Sequence, residues 1–166
     1  MIFREIFSTL PIHVIFNVKL IYKIVIYLSL VKPQNLIMFY PSPPDYHNNS
    51  CADLALLWEI PIVRGKTRLD ILSVLNPLFH GRGSHLFNRR YVWNYNGIIV
   101  GTDPVAVDTV GFKLIKAKRL EYFGKEIRFQ TLPHHVMIAD VKHSLGISDL
   151  KKIELIKLGT KEGILI

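Results

Sequence analysis

Cysteine is nearly missing from the sequence: Cys51 is the only one in a chain of 166 residues. One thiol excludes an internal disulfide and a metal cage built from cysteines alone. It also excludes an iron–sulfur cluster held by four thiolates of this chain. The sequence leaves other cofactors and metal ions open, because their ligands need not be cysteines.

Long uncharged runs are also missing. Residues 6–31 are the most apolar part of the chain, but Lys19 and Lys23 divide them into uncharged runs of 13, 3 and 8 residues. A membrane-spanning helix needs ~20 apolar residues. β-branched and aromatic residues at 14–18 and 21–27 instead predict two buried strands. Membrane association of residues 6–31 is the alternative.

The start of the chain lacks the pattern of a secretory signal. Arg4 is offset by Glu5, and no small-residue cleavage site follows the apolar stretch. The cytoplasm is therefore the default expectation for the location of the protein.

Acidic residues are missing from one interval of the chain. No Asp or Glu occurs between Asp70 and Asp103. The basic residues and histidines of this interval are His80, Arg82, His85, Arg89 and Arg90. Arginine offers paired donors to phosphate or carboxylate, so we predict a site for a small anionic ligand in the loop 80–90. A solvated basic loop is the alternative.

The net charge of +8 raises a second hypothesis, nucleic-acid binding. The excess is spread out: residues 1–110 carry ten Lys and Arg against seven Asp and Glu, and residues 111–166 carry eleven against six. A dedicated polyanion site gathers its charge on one face, so the distribution favours a generally basic surface. The residues of the alternative, a nucleic-acid-binding module, are Arg82, Arg89, Arg90, Tyr91 and Trp93.

A turn and a helix start are the clearest local signals. Asn96-Gly97 is typical of a tight hairpin turn, here between strands at 90–95 and 98–100. Asp103 stands where a helix N-cap belongs, with proline at the first helical position. Gly124 predicts the end of that helix, which we place at 104–123.

The remaining pattern predicts an α/β fold. We expect a loop at 32–49, a helix at 52–59 capped by Ser50, a strand or one short helix at 68–75, a helix over 134–145 closed by Gly146, and a terminal strand at 152–158. Strands and helices in this order indicate a layered α/β domain with a mixed β-sheet covered by helices. We expect residues 1–166 to form a single domain.

One motif resembles a known family. Thr102-Asp-Pro-Val-Ala-Val-Asp108 is similar to the Thr/Ser-Asp-Pro-Val-Ala-x-Asp motif of the family catalogued as domain of unknown function 362. Further features have counterparts there in the same order, over about residues 40–160: His47, Lys66-Thr-Arg68-Leu69, Gly81-Arg-Gly83, Lys118-Arg119 and Leu145-Gly146-Ile147.

The resemblance implies an α/β protein that is often associated with iron–sulfur clusters. This chain departs from the family because it lacks any Cys-x-x-Cys run. Its first forty residues also match poorly. Either the chain is incomplete at its amino end, or its start has diverged from the family.

The motif and the acid-free interval together define the candidate site. Asp103 is interpreted either as a helix cap alone or as a catalytic base or ligand at the end of a strand. Asp108 lies five residues on, about 140° round the helix, so the two carboxylates need not converge. The candidate ligand-binding residues are His47, Lys66, Arg68, His80, Arg82 and Asp108.

Metal binding has only weak signals. Asp45, His47 and Cys51 are close in sequence, but their spacing is irregular, and we favour capping and turn hydrogen bonds as the explanation for these residues. His135, Asp140 and His143 do not share the spacing of a helical zinc pair.

Three functional hypotheses follow from the sequence. The first is a ligand-binding or redox-associated domain, with Asp103 and the loop 80–90 at one cleft. The second is a nucleic-acid-binding module. The third is a chain without independent activity.

Overall fold

The computed structural model describes residues 15–20, 52, 54–81, 88–129, 132–159 and 163–166. Some sequence predictions lie outside these ranges. They are the second strand at 21–27, the loop at 32–49 with Asp45 and His47, the positions Ser50 and Cys51, and the segment 82–87 with Arg82 and His85.

A three-stranded mixed sheet is the centre of the fold. Strand β1 (Ile15–Leu20) pairs in parallel with β2 (Thr67–Val74), and β3 (Gly97–Gly101) pairs with β2 in the antiparallel direction. The predicted mixed α/β fold is confirmed, and 68–75 is a strand rather than a helix. Leu72 and Val74 are both buried on the sheet face that a helix covers, which fits the alternation of a half-covered strand.

The predicted two-residue hairpin is wrong. Residues Arg89–Tyr91 form a 3-10 turn, and the following residues return along Leu75–Phe79 without forming a regular strand. The N–H of Trp93 donates to the carbonyl of Pro77 at 3.2 Å, and the N–H of Tyr95 donates to Leu75 at 2.9 Å. Asn96 does adopt the left-handed conformation, with φ 55°. That turn leads the chain into β3, which pairs with β2. Residues 75–96 therefore form the connection between β2 and β3.

Four helices are present within the described residues. The first, α1 (Leu54–Glu59), lies within the predicted helix at 52–59, and a second short helix that was not predicted, α2 (Pro61–Lys66), follows with Pro61 as its first residue. The longest is α3 (Pro104–Phe123), which begins and ends as predicted. The last is α4 (His134–Val141). In the part of the chain that the structure describes, no helix has the length and apolar character needed to cross a membrane.

The end of α4 and the last predicted strand need correction. The left-handed residue that follows α4 is Ser144, with φ 50°, and not Gly146. Leu150–Lys152 form a 3-10 turn, and residues 153–158 pair with no strand among the described residues. The alternation of apolar and charged residues at 152–158 predicted a strand, but alternation alone does not provide the neighbouring strand to which a strand must bond.

Helix α3 separates two clusters of the core. Its sheet-facing residues Val107, Leu114 and Ile115 pack against Leu72 and Val74 of β2. Its first turn packs on the other side: Val105 lies in a cluster with residues of α1 and α4, which are Ala55, Trp58, Val136 and Ala139. The two ends of α3 are therefore held by different neighbours.

Candidate functional site

The predicted site residues lie at two separate ends of the molecule. Asp103 caps the start of α3, while His80 contacts Arg119 near the end of the same helix. Sixteen residues of helix separate these positions, about 24 Å at 1.5 Å per residue. Asp103 and the described flanks of the loop 80–90 therefore do not share one cleft, and that part of the prediction is wrong.

The strand directions show which of these two positions lies at the carboxyl ends of the parallel strands. β1 and β2 both run toward Leu75 and His80, whereas β3 runs the opposite way and delivers Asp103 beside the amino-terminal half of β2. Open α/β sheets place ligands outside the carboxyl ends of their parallel strands. His80 lies at that edge, and Asp103 does not.

The carboxylate of Asp103 is occupied by backbone donors. Its Oδ1 accepts from the N–H groups of Val105 at 2.8 Å and Ala106 at 3.0 Å, which is the geometry of a helix N-cap. Its Oδ2 accepts from the N–H of Ile147 at 2.8 Å. Asp103 thus ties the start of α3 to a loop 44 residues further along the chain. A catalytic role for Asp103 stays a prediction.

Gly146 makes this contact possible. A Cβ at position 146 would lie 2.7 Å from Cγ2 of Val105 and 2.8 Å from Cγ of Asp103, closer than real Cβ contacts. Only glycine lets the backbone approach the capping carboxylate so closely. The Leu145-Gly146-Ile147 turn therefore holds Asp103 in place and does not end a helix.

Two carboxylates are fully buried near this end of the sheet. Asp70 of β2 pairs in register with Gly101, and Asp108 lies in α3; both have 0% relative exposure. Each of them is engaged by a neighbour. The predicted ligand role of Asp108 remains untested, but its place inside the fold is clear.

The basic residues at the start of β2 lie at the end of the sheet that also carries Asp103, away from His80. Lys66 is the last residue of α2. Arg68 is exposed, and its guanidinium donates to the carbonyls of Gly65 at 2.6 Å and Thr67 at 3.2 Å. These short-range bonds hold Arg68 at the junction between α2 and β2. The ligand-binding roles of Lys66, Arg68, His47 and Arg82 stay predictions, the last two outside the described residues.

At the other end, Arg119 is buried and holds several segments together. Its guanidinium donates to the carbonyls of Phe79, Ile127 and Arg128 at 3.2–3.3 Å, and the ring of Phe129 lies 4.1 Å from Cζ. The side chain is only 6% exposed. Among the described residues, carbonyl dipoles and an aromatic face stabilise its charge, and no carboxylate forms an ion pair with it.

The same guanidinium fixes the protonation of His80. Nη1 of Arg119 lies 2.8 Å from Nδ1 of His80. Arginine can only donate, so Nδ1 must be the acceptor and the neutral ring carries its proton on Nε2. Burial, followed by the positive charges of Arg119 and Arg90, lowers the pKa of His80 from its ordinary value of 6.5. His80 therefore presents a neutral N–H donor in an electropositive setting.

Aromatic rings pack around His80 on the core side. The His80 ring makes edge contacts with Tyr91 and Phe123, with centroids 4.7 and 5.0 Å apart. Phe79, which is fully buried, packs against Tyr91 at 5.7 Å and Trp93 at 5.6 Å. The contacts with Tyr91 and Phe123 restrict the orientation of the His80 ring.

Two exposed arginines complete this end. Arg89 and Arg90 both lie on the surface in the 3-10 turn, and Cζ of Arg90 is 4.5 Å from the centroid of the Tyr91 ring. Lys118 also lies over an aromatic ring, Trp93, at 5.4 Å, but it is paired with Glu121 at 2.9 Å. Within the part of the chain that the structure describes, neither Arg89 nor Arg90 forms an ion pair.

No metal site is found in the described ranges, where no three His, Cys, Asp or Glu side chains are grouped to hold an ion. Of the residues considered for zinc, His143 contacts Glu59 at 2.7 Å and Asp140 accepts from Ser148. His135 is fully buried in α4.

Comparison of the chain with protein-family models, curated proteins and solved structures gives no match. The resemblance of Thr102–Asp108 to the domain of unknown function 362 family therefore stays a prediction. The site has to be judged on its own geometry.

Sequence reasoning missed the role of Arg119. The family resemblance uses it only as part of the Lys118-Arg119 pair, although it continues, at intervals of four residues, the buried stripe that contains Val107, Gly111 and Ile115. A charged residue on such a stripe signals a buried polar anchor. Its partners, three carbonyls and one histidine, had no signal in the sequence.

Proposed function

We propose that this protein is a ligand-binding α/β domain that binds a small anionic ligand, such as a phosphate or carboxylate, beside His80 and Arg90. The observation that carries the proposal is the 2.8 Å contact between Arg119 and Nδ1 of His80. It leaves Nε2–H as a donor whose orientation is fixed by a buried guanidinium. Donors held in advance bind a ligand at a lower entropic cost.

The electrostatics of this end favour an anion. Arg90 is near enough to His80 to lower its pKa, and Arg89 is exposed next to it. No carboxylate from the sequence between Asp70 and Asp103 competes for these cations. A ligand with a planar or tetrahedral anionic group would receive one N–H from His80 and paired donors from Arg90.

Calorimetric titration with inorganic phosphate tests the proposal. Arg90→Gln removes one charge at the site, and Arg64→Gln removes one from an exposed position in α2 as the matched control. A lost charge-assisted hydrogen bond weakens binding about tenfold to a hundredfold. We expect that loss for Arg90→Gln and little change for Arg64→Gln.

A variant of His80 separates binding from folding. In His80→Asn the amide oxygen replaces Nδ1 as acceptor for Arg119, but the shorter side chain does not bring its NH2 group to the position of Nε2–H. We expect a folded protein with weakened phosphate binding. Equal affinity of wild type, Arg90→Gln and His80→Asn would contradict the proposal, and so would the absence of any binding by the wild type, which would favour a chain without independent activity.

Nucleic-acid binding is the second candidate, favoured by the cation–π pairs of Arg90 with Tyr91 and Lys118 with Trp93. Alternating aromatic and basic side chains suit single-stranded nucleic acid. Tyr91 and Trp93 are half-buried against Phe79, however, which favours the small ligand. Titration with a single-stranded oligonucleotide distinguishes the two: a polyanion site would bind it far more tightly than phosphate and with steep salt dependence.

A further inference from the structure

The outer side of α4 exposes large apolar side chains. Met137 is 62% exposed and Val141 is 81% exposed, and their i, i+4 spacing places them on one side of the helix. Isolated exposed apolar residues are common on protein surfaces. Two neighbours exposed to this degree, with more beside them, are less common and indicate an interaction surface.

The segment after α4 extends this surface. The backbone N–H and the hydroxyl of Ser148 both donate to Oδ2 of Asp140 at 2.7 Å. Asp140 lies on the same side of α4 as Met137, three residues on, so these bonds hold the chain around Ser148 against that side. Ile147 and Leu150, which flank Ser148, are 39% and 42% exposed.

Lysines border the apolar side chains. Lys142 follows α4 directly, and Lys151 and Lys152 lie in the 3-10 turn; all three are exposed. Lys152 is close enough to Asp140 to contribute to lowering the pKa of that carboxyl. We call this surface the apolar–basic patch; it consists of Met137, Lys142, Val141, Ile147, Leu150, Lys151 and Lys152.

Two carboxylates beside the patch, those of Asp140 and Asp149, are hydrogen-bonded to neighbours. Asp140 is held by Ser148, and the carboxylate of Asp149 caps the 3-10 turn by accepting from the N–H of Lys151 at 3.0 Å. The three lysines exceed these two carboxylates by one charge. A second copy of the chain would bring the lysines of both patches together, which is unfavourable, whereas an anionic surface is complementary to them.

We infer that the apolar–basic patch docks on the surface of a membrane that contains anionic lipids. Met137 and Val141 enter the boundary between headgroups and acyl chains, and the lysines contact the anionic headgroups. This inference concerns a different surface from the anion site at His80 and does not depend on it.

Vesicle sedimentation with the full chain tests the inference. Wild type is compared on vesicles of phosphatidylcholine alone and of phosphatidylcholine mixed with phosphatidylserine. Each lysine near an anionic surface contributes about fivefold to binding. We expect wild type to prefer the mixed vesicles and Lys151→Gln with Lys152→Gln to reduce binding to them by about 25-fold at low salt.

Apolar variants test the other half of the patch. Met137→Ser with Val141→Ser should lower binding to the mixed vesicles at least tenfold, since the apolar anchors are lost. Ile98→Thr, at an exposed apolar residue of β3, is the matched control and should bind like wild type. Binding through any other part of the chain would appear equally in all these proteins.

Three results would overturn the inference. One is equal sedimentation on the two kinds of vesicle. Another is unchanged binding in both double variants. The third is a dimer in light scattering that Met137→Ser with Val141→Ser dissociates, because the patch would then join two copies of the chain.

Discussion

Arg119 donates to Nδ1 of His80 across 2.8 Å, although the two residues are 39 positions apart in the chain. The contact joins the end of α3 to the segment that follows β2. It also decides which ring nitrogen of His80 keeps its proton. The buried Arg119 thereby determines the tautomer of the half-buried His80.

Stability should depend on the protonation of His80. Its pKa in the folded protein is below the ordinary 6.5, so the unfolded chain binds more protons between the two values. The contribution of His80 to the free energy of unfolding is therefore complete above about pH 6.5 and is lost as the pH falls toward the folded-state pKa.

Urea unfolding of wild type and His80→Asn from about pH 7.5 to about pH 5 measures this contribution. We expect the free energy of unfolding to fall less in the variant over this range, because the titrating ring is gone. The other six histidines are common to both proteins, so their effect cancels. Identical pH profiles would contradict the lowered pKa of His80.

Asp103 should stabilise the fold because its carboxylate accepts hydrogen bonds from three backbone N–H groups. Asp103→Ala removes the N-cap and the bond to Ile147, and we expect it to destabilise the protein by about 1–3 kcal/mol. Asp103→Asn keeps an oxygen for the cap but turns a donor toward Ile147, so it should cost about half as much. Denaturant unfolding measures both changes. Unchanged stability in Asp103→Ala would contradict the structural role.

Gly146 should tolerate no side chain. A methyl group at 146 would press on Val105 and Asp103, so Gly146→Ala should cost about 1–3 kcal/mol. Gly65→Ala is the matched control, because a Cβ at Gly65 meets nothing within 4 Å. In the control, reduced flexibility of the unfolded chain should stabilise the protein by up to about 1 kcal/mol. Equal thermal stability of the two variants would be the contrary result.

The local elements could be predicted from the sequence where a few neighbouring residues decide them. Asp103, Pro104 and Gly124 specify the two ends of α3 through their own backbone preferences, and the structure has the helix between them. The mixed sheet also followed from the order of strands and helices.

Pairing between distant segments could not be predicted in the same way. Asn96 adopts the left-handed turn that its type favours, yet the strand after it joins β2 rather than residues 90–95. Local turn preference does not say which edge a strand meets. Because of the direction of β3, Asp103 and His80 lie at opposite ends of α3. The predicted cleft that contains both Asp103 and the loop 80–90 is therefore not formed by these residues.

The contacts of the candidate site are also long-range. Glycine at 146 predicts the end of a helix, but Gly146 lies against Asp103, 43 residues earlier. Arg119 binds carbonyl groups, which every residue carries and no side-chain pattern reveals. Such partners become visible only when the chain is folded.

The most direct test of the anion site is an NMR titration of the His80 imidazole, with and without sulfate, a dianion whose charge is constant over the range used. We predict a proton on Nε2 at neutral pH, a pKa below 6.5 in the free protein, and a rise of that pKa when sulfate binds, since the bound anion favours the charged ring. The same titration of Arg90→Gln should show a smaller rise. A His80 pKa that sulfate leaves unchanged, or a ring protonated on Nδ1 at neutral pH, would contradict the account.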